Sequence, residues 1–72
     1  MEADKWGRRI RAFRKLKGYT QEGLAKELGI SISVLGEVER GTRIPTDELL
    51  EDVADVLQID VEELMPTEDP TI

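Results

Sequence analysis

The stretch SISVLGEVERG, in the middle of the chain, carries polar side chains at a spacing that would let them contact a partner. It begins with a serine suited to cap a helix and ends with a glycine suited to stop one, so a helix is predicted between them. With Leu35 inward and about 100° of rotation per residue, Ser33, Glu37 and Arg40 fall on the outward side. Ile32 lies near the core boundary, but from the first turn it can project outward. This face offers a hydroxyl, a carboxylate and a guanidinium, which can bond to the base edges and phosphates of nucleic acid or to polar groups of a protein.

Other chemistry is excluded by what the sequence lacks. It contains no Cys and no His, which removes disulfides, Cys nucleophiles, His-based proton transfer and the usual transition-metal sites. Paired carboxylates such as Asp52 with Asp55 are interpreted as solvated helix faces, because no pocket of convergent polar groups is indicated. The sequence therefore predicts a protein that is not an enzyme and that binds no metal, cofactor or small-molecule ligand.

The sequence also bears on location. No apolar run approaches the roughly 18 residues of a membrane span, and the N-terminal MEADKW lacks the apolar segment of a signal peptide. The absence of Cys fits a reducing compartment. We expect a cytoplasmic protein with no membrane partner.

Charge is sorted along the chain. The formal net charge is −6, but all 10 Lys and Arg residues lie in residues 1–43, against six acids there. Residues 44–72 hold ten acids and no base. A basic half of this kind indicates a polyanionic partner, whereas the alternative is a set of solvated helix faces that happen to be sorted by sign.

The elements that must position these groups are short helices. Trp6, Ile10, Phe13 and Leu16 form one apolar stripe, and no sustained alternation indicates a strand. With 72 residues, we expect one domain over residues 5–65 and flexible termini at residues 1–4 and 66–72. The predicted helices span residues 5–17, 21–28, 32–40, 47–57 and 61–65. In the last of these, Leu64 and Met65, with Val61, could close the core or form a dimer contact.

Two short helices joined by a tight turn, with a further helix on each side, describe a helix-turn-helix domain. The segments RIRAFRKLKGYTQEGLAKELGIS, VERGTRIP and LLEDVADVLQIDVEEL resemble the Xre-type family of lambda and phage 434 repressor-like domains over about residues 6–65. The resemblance implies a compact all-α fold of five helices. It also implies a sequence-specific, DNA-binding transcriptional regulator of bacterial or phage type, with the third helix in the major groove of double-stranded DNA.

The resemblance further implies roles for individual residues. Gln21 matches a position that contacts a phosphate and often the adjacent base. Ile32, Ser33 and Glu37 match positions that contact base edges, and Arg40 and Arg43 match positions that contact the DNA backbone. Arg14 and Glu39 match a structural pair that bridges the first and third helices. Family members commonly bind half-sites as dimers, so a homodimer is implied as well.

The sequence departs from the family at the centre of the third helix, where Arg, Gln, Ser or Thr usually occupies several positions. One interpretation is unusual base contacts, with Ile32 on a thymine methyl, Glu37 accepting from cytosine N4, Ser33 bonding to either base, and Gly36 allowing close backbone approach. A second is binding through phosphate electrostatics. The alternative function is a protein-interaction module in which the third-helix face binds a protein partner.

Overall fold

The computed structural model describes residues 2–65, with side chains from residue 5 onward. Four α-helices and one 3-10 helix follow one another in this part of the chain, with no strand, so the predicted all-α fold is confirmed. The elements are α1 (Glu2–Leu16), α2 (Gln21–Leu28), α3 (Ile32–Arg40), α4 (Asp47–Leu57) and the 3-10 helix Val61–Leu64.

The first helix differs from its predicted bounds. It begins at Glu2 rather than Lys5, and it ends at Leu16, one residue early. The apolar stripe begins at Trp6, so its pattern does not mark the helical residues before it. The backbone of residues 2–4 is helical, so the prediction of a flexible segment over residues 1–4 is wrong for these three residues. Met1 and the predicted flexible segment 66–72 lie outside the described residues.

The fifth helix, predicted over residues 61–65, is a 3-10 helix that ends at Leu64. The Glu63 N–H donates to the Asp60 carbonyl at 2.9 Å, and the Met65 N–H donates to the Glu62 carbonyl at 3.1 Å. Bonds to the third preceding residue define this geometry, which proteins use in short pieces. A segment of four residues is too short to build a ladder of α-helical bonds.

Helix ends follow local capping chemistry. The hydroxyl groups of Thr20, Ser31 and Thr46 each accept from the backbone N–H three residues later, at 2.9, 3.1 and 3.0 Å. These bonds satisfy N–H groups that have no partner within the helix. At the other ends, Gly41 with φ 84° closes α3 and Gln58 with φ 59° closes α4. The caps explain why the sequence predicts the bounds of α2, α3 and α4 correctly.

The turn between α2 and α3 is held by a helix stop at its start and a helix cap at its end. Gly29 adopts φ 73° at the end of α2, and the Ile30 N–H donates back to the Ala25 carbonyl at 3.1 Å. Ile30 packs against the core, and Ser31 then caps α3. Only one residue separates the stop of one helix from the cap of the next, so the orientation of α3 is set by α2.

All five elements contribute to one core. Leu64 is fully buried, so it closes the core, whereas Met65 is 48% exposed. The predicted choice between core and dimer contact is thus resolved for Leu64 in favour of the core. The buried apolar side chains are Ile10, Leu24, Ala25, Leu35, Val38, Leu50, Val53, Ala54, Leu57 and Leu64.

The predicted apolar stripe of α1 is wrong at its last member. Leu16 is 74% exposed, whereas Ile10 is fully buried and Phe13 packs against the core. A step of three residues falls about 60° short of a full turn, so two steps carry Leu16 about 120° from Ile10. Arg14, four residues after Ile10, takes the inward position instead and is buried.

The helices α1 and α3 meet backbone to backbone at Gly7. A Cβ atom on Gly7 would lie 2.3 Å from the Val38 carbonyl oxygen and 2.6 Å from the Glu39 carbonyl oxygen. Only a residue without a side chain permits this approach. The carboxyl end of α3 therefore rests directly on α1.

Candidate nucleic-acid interface

The outward face of α3 is accessible at most of its predicted positions. Ser33 and Arg40 are exposed, Ile32 is 46% exposed, and Glu37 is partly exposed. Gly36 is buried, and the Arg40 Nη1 atom would lie 3.1 Å from a Cβ atom built on it. The Arg40 side chain therefore lies over Gly36, and the close approach of DNA to the backbone there, which requires Arg40 to move, stays a prediction.

A buried ionic cluster joins α1 to α3. The Arg14 Nε donates to Glu39 Oε2 at 2.7 Å, and its Nη2 donates to Glu39 Oε1 at 3.2 Å. The Arg14 and Glu39 side chains are 9% and 3% exposed. Arg14 Nη1 also donates to the Tyr19 carbonyl at 3.0 Å, on the segment that leads into α2. The structure places the two residues as the bridge that the resemblance implies, and the paired contact fixes the angle of the two helices.

Gln21 belongs to the same cluster. Its Nε2 donates to Glu39 Oε1 at 3.1 Å, and the side chain is partly buried. Because an ionised carboxylate only accepts, the amide must turn its nitrogen toward Glu39. The second N–H and the carbonyl oxygen of the amide remain available at the amino end of α2. This bond is not predictable from the sequence, since no local pattern links residues 18 positions apart.

Glu37 and Arg43 form an ion pair at the end of α3. The Arg43 Nε donates to Glu37 Oε1 at 2.7 Å, and their side chains are 51% exposed for Arg43 and 39% for Glu37. The family resemblance implies separate roles for these residues, with Glu37 at a base edge and Arg43 at the DNA backbone. Their pairing depends on the left-handed turn at Gly41, which carries the chain back along the helix that it has just left.

A cationic cleft opens beside α3. It has a volume of about 690 Å³ and lies where α1, the amino end of α2 and the last turn of α3 meet. Glu39 is already bonded to Arg14, and Arg11 and Arg40 add positive charge to the lining. Such a surface attracts phosphate groups. The residues that line it are Arg8, Arg11, Arg14, Gln21, Glu39 and Arg40.

The described residues do not meet the requirements of a metal site or a membrane span, and they leave no buried polar group unpaired. Within residues 2–65, no three His, Cys, Asp or Glu residues are grouped so that they could hold a metal ion. No helix of this region has the length and apolar content to cross a membrane. Among the described side chains, no buried nitrogen or oxygen lacks a hydrogen-bond partner.

The chain is similar to known helix-turn-helix proteins over most of its length. Residues 10–64 match the family model described as helix-turn-helix, HTH_3. The chain is similar to the uncharacterized HTH-type transcriptional regulator YazB of Bacillus subtilis, with 68% identity over 68 residues that cover 94% of this chain and 99% of YazB. It is 41% identical to the HTH-type transcriptional regulator SlrR of Bacillus subtilis over 86% of this chain, but spans only 41% of SlrR.

Solved structures of two other regulatory proteins superpose closely on this chain. The restriction-modification controller protein C.AhdI from Aeromonas hydrophila superposes with a TM-score of 0.83 and 38% identity, covering 88% of this chain and 96% of C.AhdI. SinR, the master regulator for biofilm formation, solved in complex with DNA, superposes with a TM-score of 0.77 and 38% identity. That match covers 82% of this chain and 95% of the SinR chain.

Proposed function

The chain belongs to the helix-turn-helix family, and we propose that it regulates transcription by binding double-stranded DNA with α3 in the major groove. The observation that carries the proposal is the cluster of Arg14, Glu39 and Gln21, which holds α3 against α1 and α2 and leaves the outward side of α3 accessible. An α-helix fits the width of the major groove of B-form DNA. The functional domain is residues 5–65.

We assign a DNA contact to each of four side chains on α3 and at the start of α2. Ile32 packs against a thymine methyl group, and the Ser33 hydroxyl donates to or accepts from a base edge. Arg40, together with the remaining amide N–H of Gln21, contacts phosphates at the cationic cleft. Phosphate contacts set position and affinity, whereas base contacts at the start of α3 set the preferred sequence.

The proposal extends to assembly and location. A helix-turn-helix unit binds as a dimer to two half-sites about one DNA turn apart, on the order of 34 Å. We propose that two copies of this chain do the same, and that a role on bacterial DNA places the protein in the cytoplasm.

The decisive experiment measures binding to a random-sequence duplex by fluorescence anisotropy at several salt concentrations, followed by selection from the same library. Each phosphate contacted should contribute about −0.9 to the slope of log K against log salt. Arg11→Ala should make the slope shallower, and Lys26→Ala, which removes a charge away from the cleft lining, is the matched control. Absence of binding at low salt, together with no enriched sequence, would contradict the proposal.

A second function has one observation in its favour. Exposed Ile44 and partly buried Val34 border an apolar groove of about 290 Å³ between the α2–α3 turn and α4. Ile32 on the face of α3 is exposed as well. These side chains could serve a protein-interaction module. A folded protein that binds no duplex at any salt concentration would favour this alternative.

A further inference from the structure

We propose that Glu37 and Arg43 act as a single unit that recognises a C·G base pair in the major groove. The inference rests on the proposed function, since it requires α3 to lie in that groove. It gives Arg43 a base contact, in place of the backbone contact that the family resemblance implies.

The ion pair uses one nitrogen of Arg43 and one oxygen of Glu37, so other polar atoms of both side chains remain available. Only the Arg43 Nε and one carboxylate oxygen of Glu37 are joined, at 2.7 Å. Within residues 2–65, the second oxygen, Oε2, and the two terminal nitrogens of Arg43 make no further hydrogen bond. Both side chains are partly open to solvent. The unit thus retains one acceptor oxygen and two donor nitrogens for a ligand.

The backbone that carries Glu37 and Arg43 is ordered by hydrogen bonds before any ligand binds. The Thr42 N–H donates to the Glu37 carbonyl at 2.9 Å, and the Thr42 hydroxyl donates to the same oxygen at 3.2 Å. Gly41 adopts φ 84° and allows the reversal. Arg43 is therefore carried back beside the turn that contains Glu37. Ordering the groups in advance lowers the entropy cost of binding.

Pairing also removes an electrostatic objection to Glu37. An isolated carboxylate on a groove-facing helix would be repelled by the phosphates on both sides of the groove. With the Arg43 guanidinium at 2.7 Å, the unit has no net charge. The carboxylate can then accept a hydrogen bond from a base without a large repulsive cost.

The order of donors and acceptors selects the base pair. Cytosine offers the N4 donor, and its partner guanine continues the same edge with two acceptors, O6 and N7. In the proposed contact, Glu37 Oε2 accepts from N4, and the two terminal nitrogens of Arg43 donate to O6 and N7. Every polar atom on this edge then has a partner. In an A·T pair, the adenine N6 donor has one acceptor on each side, O4 and N7. The guanidinium could then bond to only one of them, so C·G is preferred.

The experiment selects duplexes with the full-length wild-type protein and with three variants, then measures affinity for the selected site and for one in which C·G is replaced by T·A. For wild type, this replacement should weaken binding on the order of tenfold or more, as for one well-formed base contact. Arg43→Lys keeps the charge but loses the planar fork, so the preference should largely disappear while affinity for random duplex is retained.

The other two variants separate base recognition from charge. Glu37→Gln should shift the selected base from cytosine toward adenine, because a glutamine amide pairs with N6 and N7. It should also raise affinity for random duplex, since a negative charge is lost. Arg40→Ala is the matched control for a lost cation; it should weaken binding to every duplex and leave the C·G preference intact.

The measured affinities distinguish C·G recognition by Glu37 and Arg43 from DNA binding by α3 in general. If wild type binds duplex but Arg43→Lys retains the full C·G preference, the inference is overturned and the proposed function stands. The same holds if Glu37→Gln selects the wild-type sequence. If folded wild type shows no salt-dependent duplex binding, both fall together. Circular dichroism checks that each variant is folded, which the exposure of both side chains favours.

Discussion

At the scale of single residues, the Arg14–Glu39 pair matters most. Both side chains are almost fully buried, and each lies where an apolar residue would otherwise fill the core. Removing two charges from water costs about as much as their attraction returns, so such a pair adds little net stability. The pair does fix the orientation of α1 and of Gln21 relative to α3, because each hydrogen bond in the cluster requires a particular alignment of donor and acceptor.

This balance predicts an asymmetry between breaking the pair and replacing it. Glu39→Ala leaves a buried, unpaired guanidinium and should cost about 3–5 kcal/mol of unfolding free energy. The double variant Arg14→Met/Glu39→Leu should cost much less, because no charge remains buried. Urea unfolding followed by circular dichroism measures both. A double variant as unstable as Glu39→Ala would mean that the pair does stabilise the fold.

At the scale of helices, two glycines have opposite roles. Gly7 in α1 faces backbone carbonyls of α3, which cannot move aside without displacing that helix. Gly36 in α3 faces the end of the Arg40 side chain, which is long, flexible and exposed. One glycine is required by helix packing, and the other only provides room for a side chain.

Alanine at each position tests this distinction. Gly7→Ala should destabilise the protein by about 1–3 kcal/mol or more, as overpacking does. Gly36→Ala should be neutral or stabilising by up to about 1 kcal/mol, because alanine favours a helix and Arg40 can shift. Thermal unfolding of the two variants gives the comparison. Equal losses of stability would show that Arg40 is held as rigidly over Gly36 as the carbonyl groups are over Gly7.

At the scale of the whole molecule, the 3-10 helix closes a small core. Leu64 inserts fully among the helices, and the Arg9 Nε in α1 donates to the Glu63 carbonyl at 2.7 Å. The last described element is thus tied to the first. A domain of this size has only a few kcal/mol of stability to lose, so closure at residue 64 affects all of it.

Leu64→Ala should therefore lower the unfolding free energy by about 2–5 kcal/mol, the range for a buried leucine. Met65→Ala, at a neighbouring exposed residue, should change it by no more than about 0.5 kcal/mol. Urea transitions followed by Trp6 fluorescence and by circular dichroism should coincide, since one core unfolds in one step. A Leu64→Ala variant as stable as Met65→Ala would place residue 64 outside the core.

The local features of this protein follow from short-range patterns in its sequence. The bounds of α2, α3 and α4 were predicted correctly because hydroxyl caps and left-handed stops act over three or four residues. Other local expectations were wrong. The helix α1 begins earlier and ends one residue sooner than predicted, and the fifth helix is a 3-10 helix that ends at Leu64. Leu16 is exposed, because two steps of three residues turn it away from the side of Ile10. The all-α class and the helix-turn-helix family also follow from the sequence.

The contacts that connect the candidate site arise from the packing of the helices against one another. It joined Gln21 to the Arg14–Glu39 pair, paired Glu37 with Arg43, and covered Gly36 with Arg40. Each of these contacts depends on the angle between helices or on the direction of the chain after Gly41, and no spacing along one helix encodes either. The residue types on the outward face of α3 were visible in the sequence, but which of them act together was set by the packing of the helices beneath them.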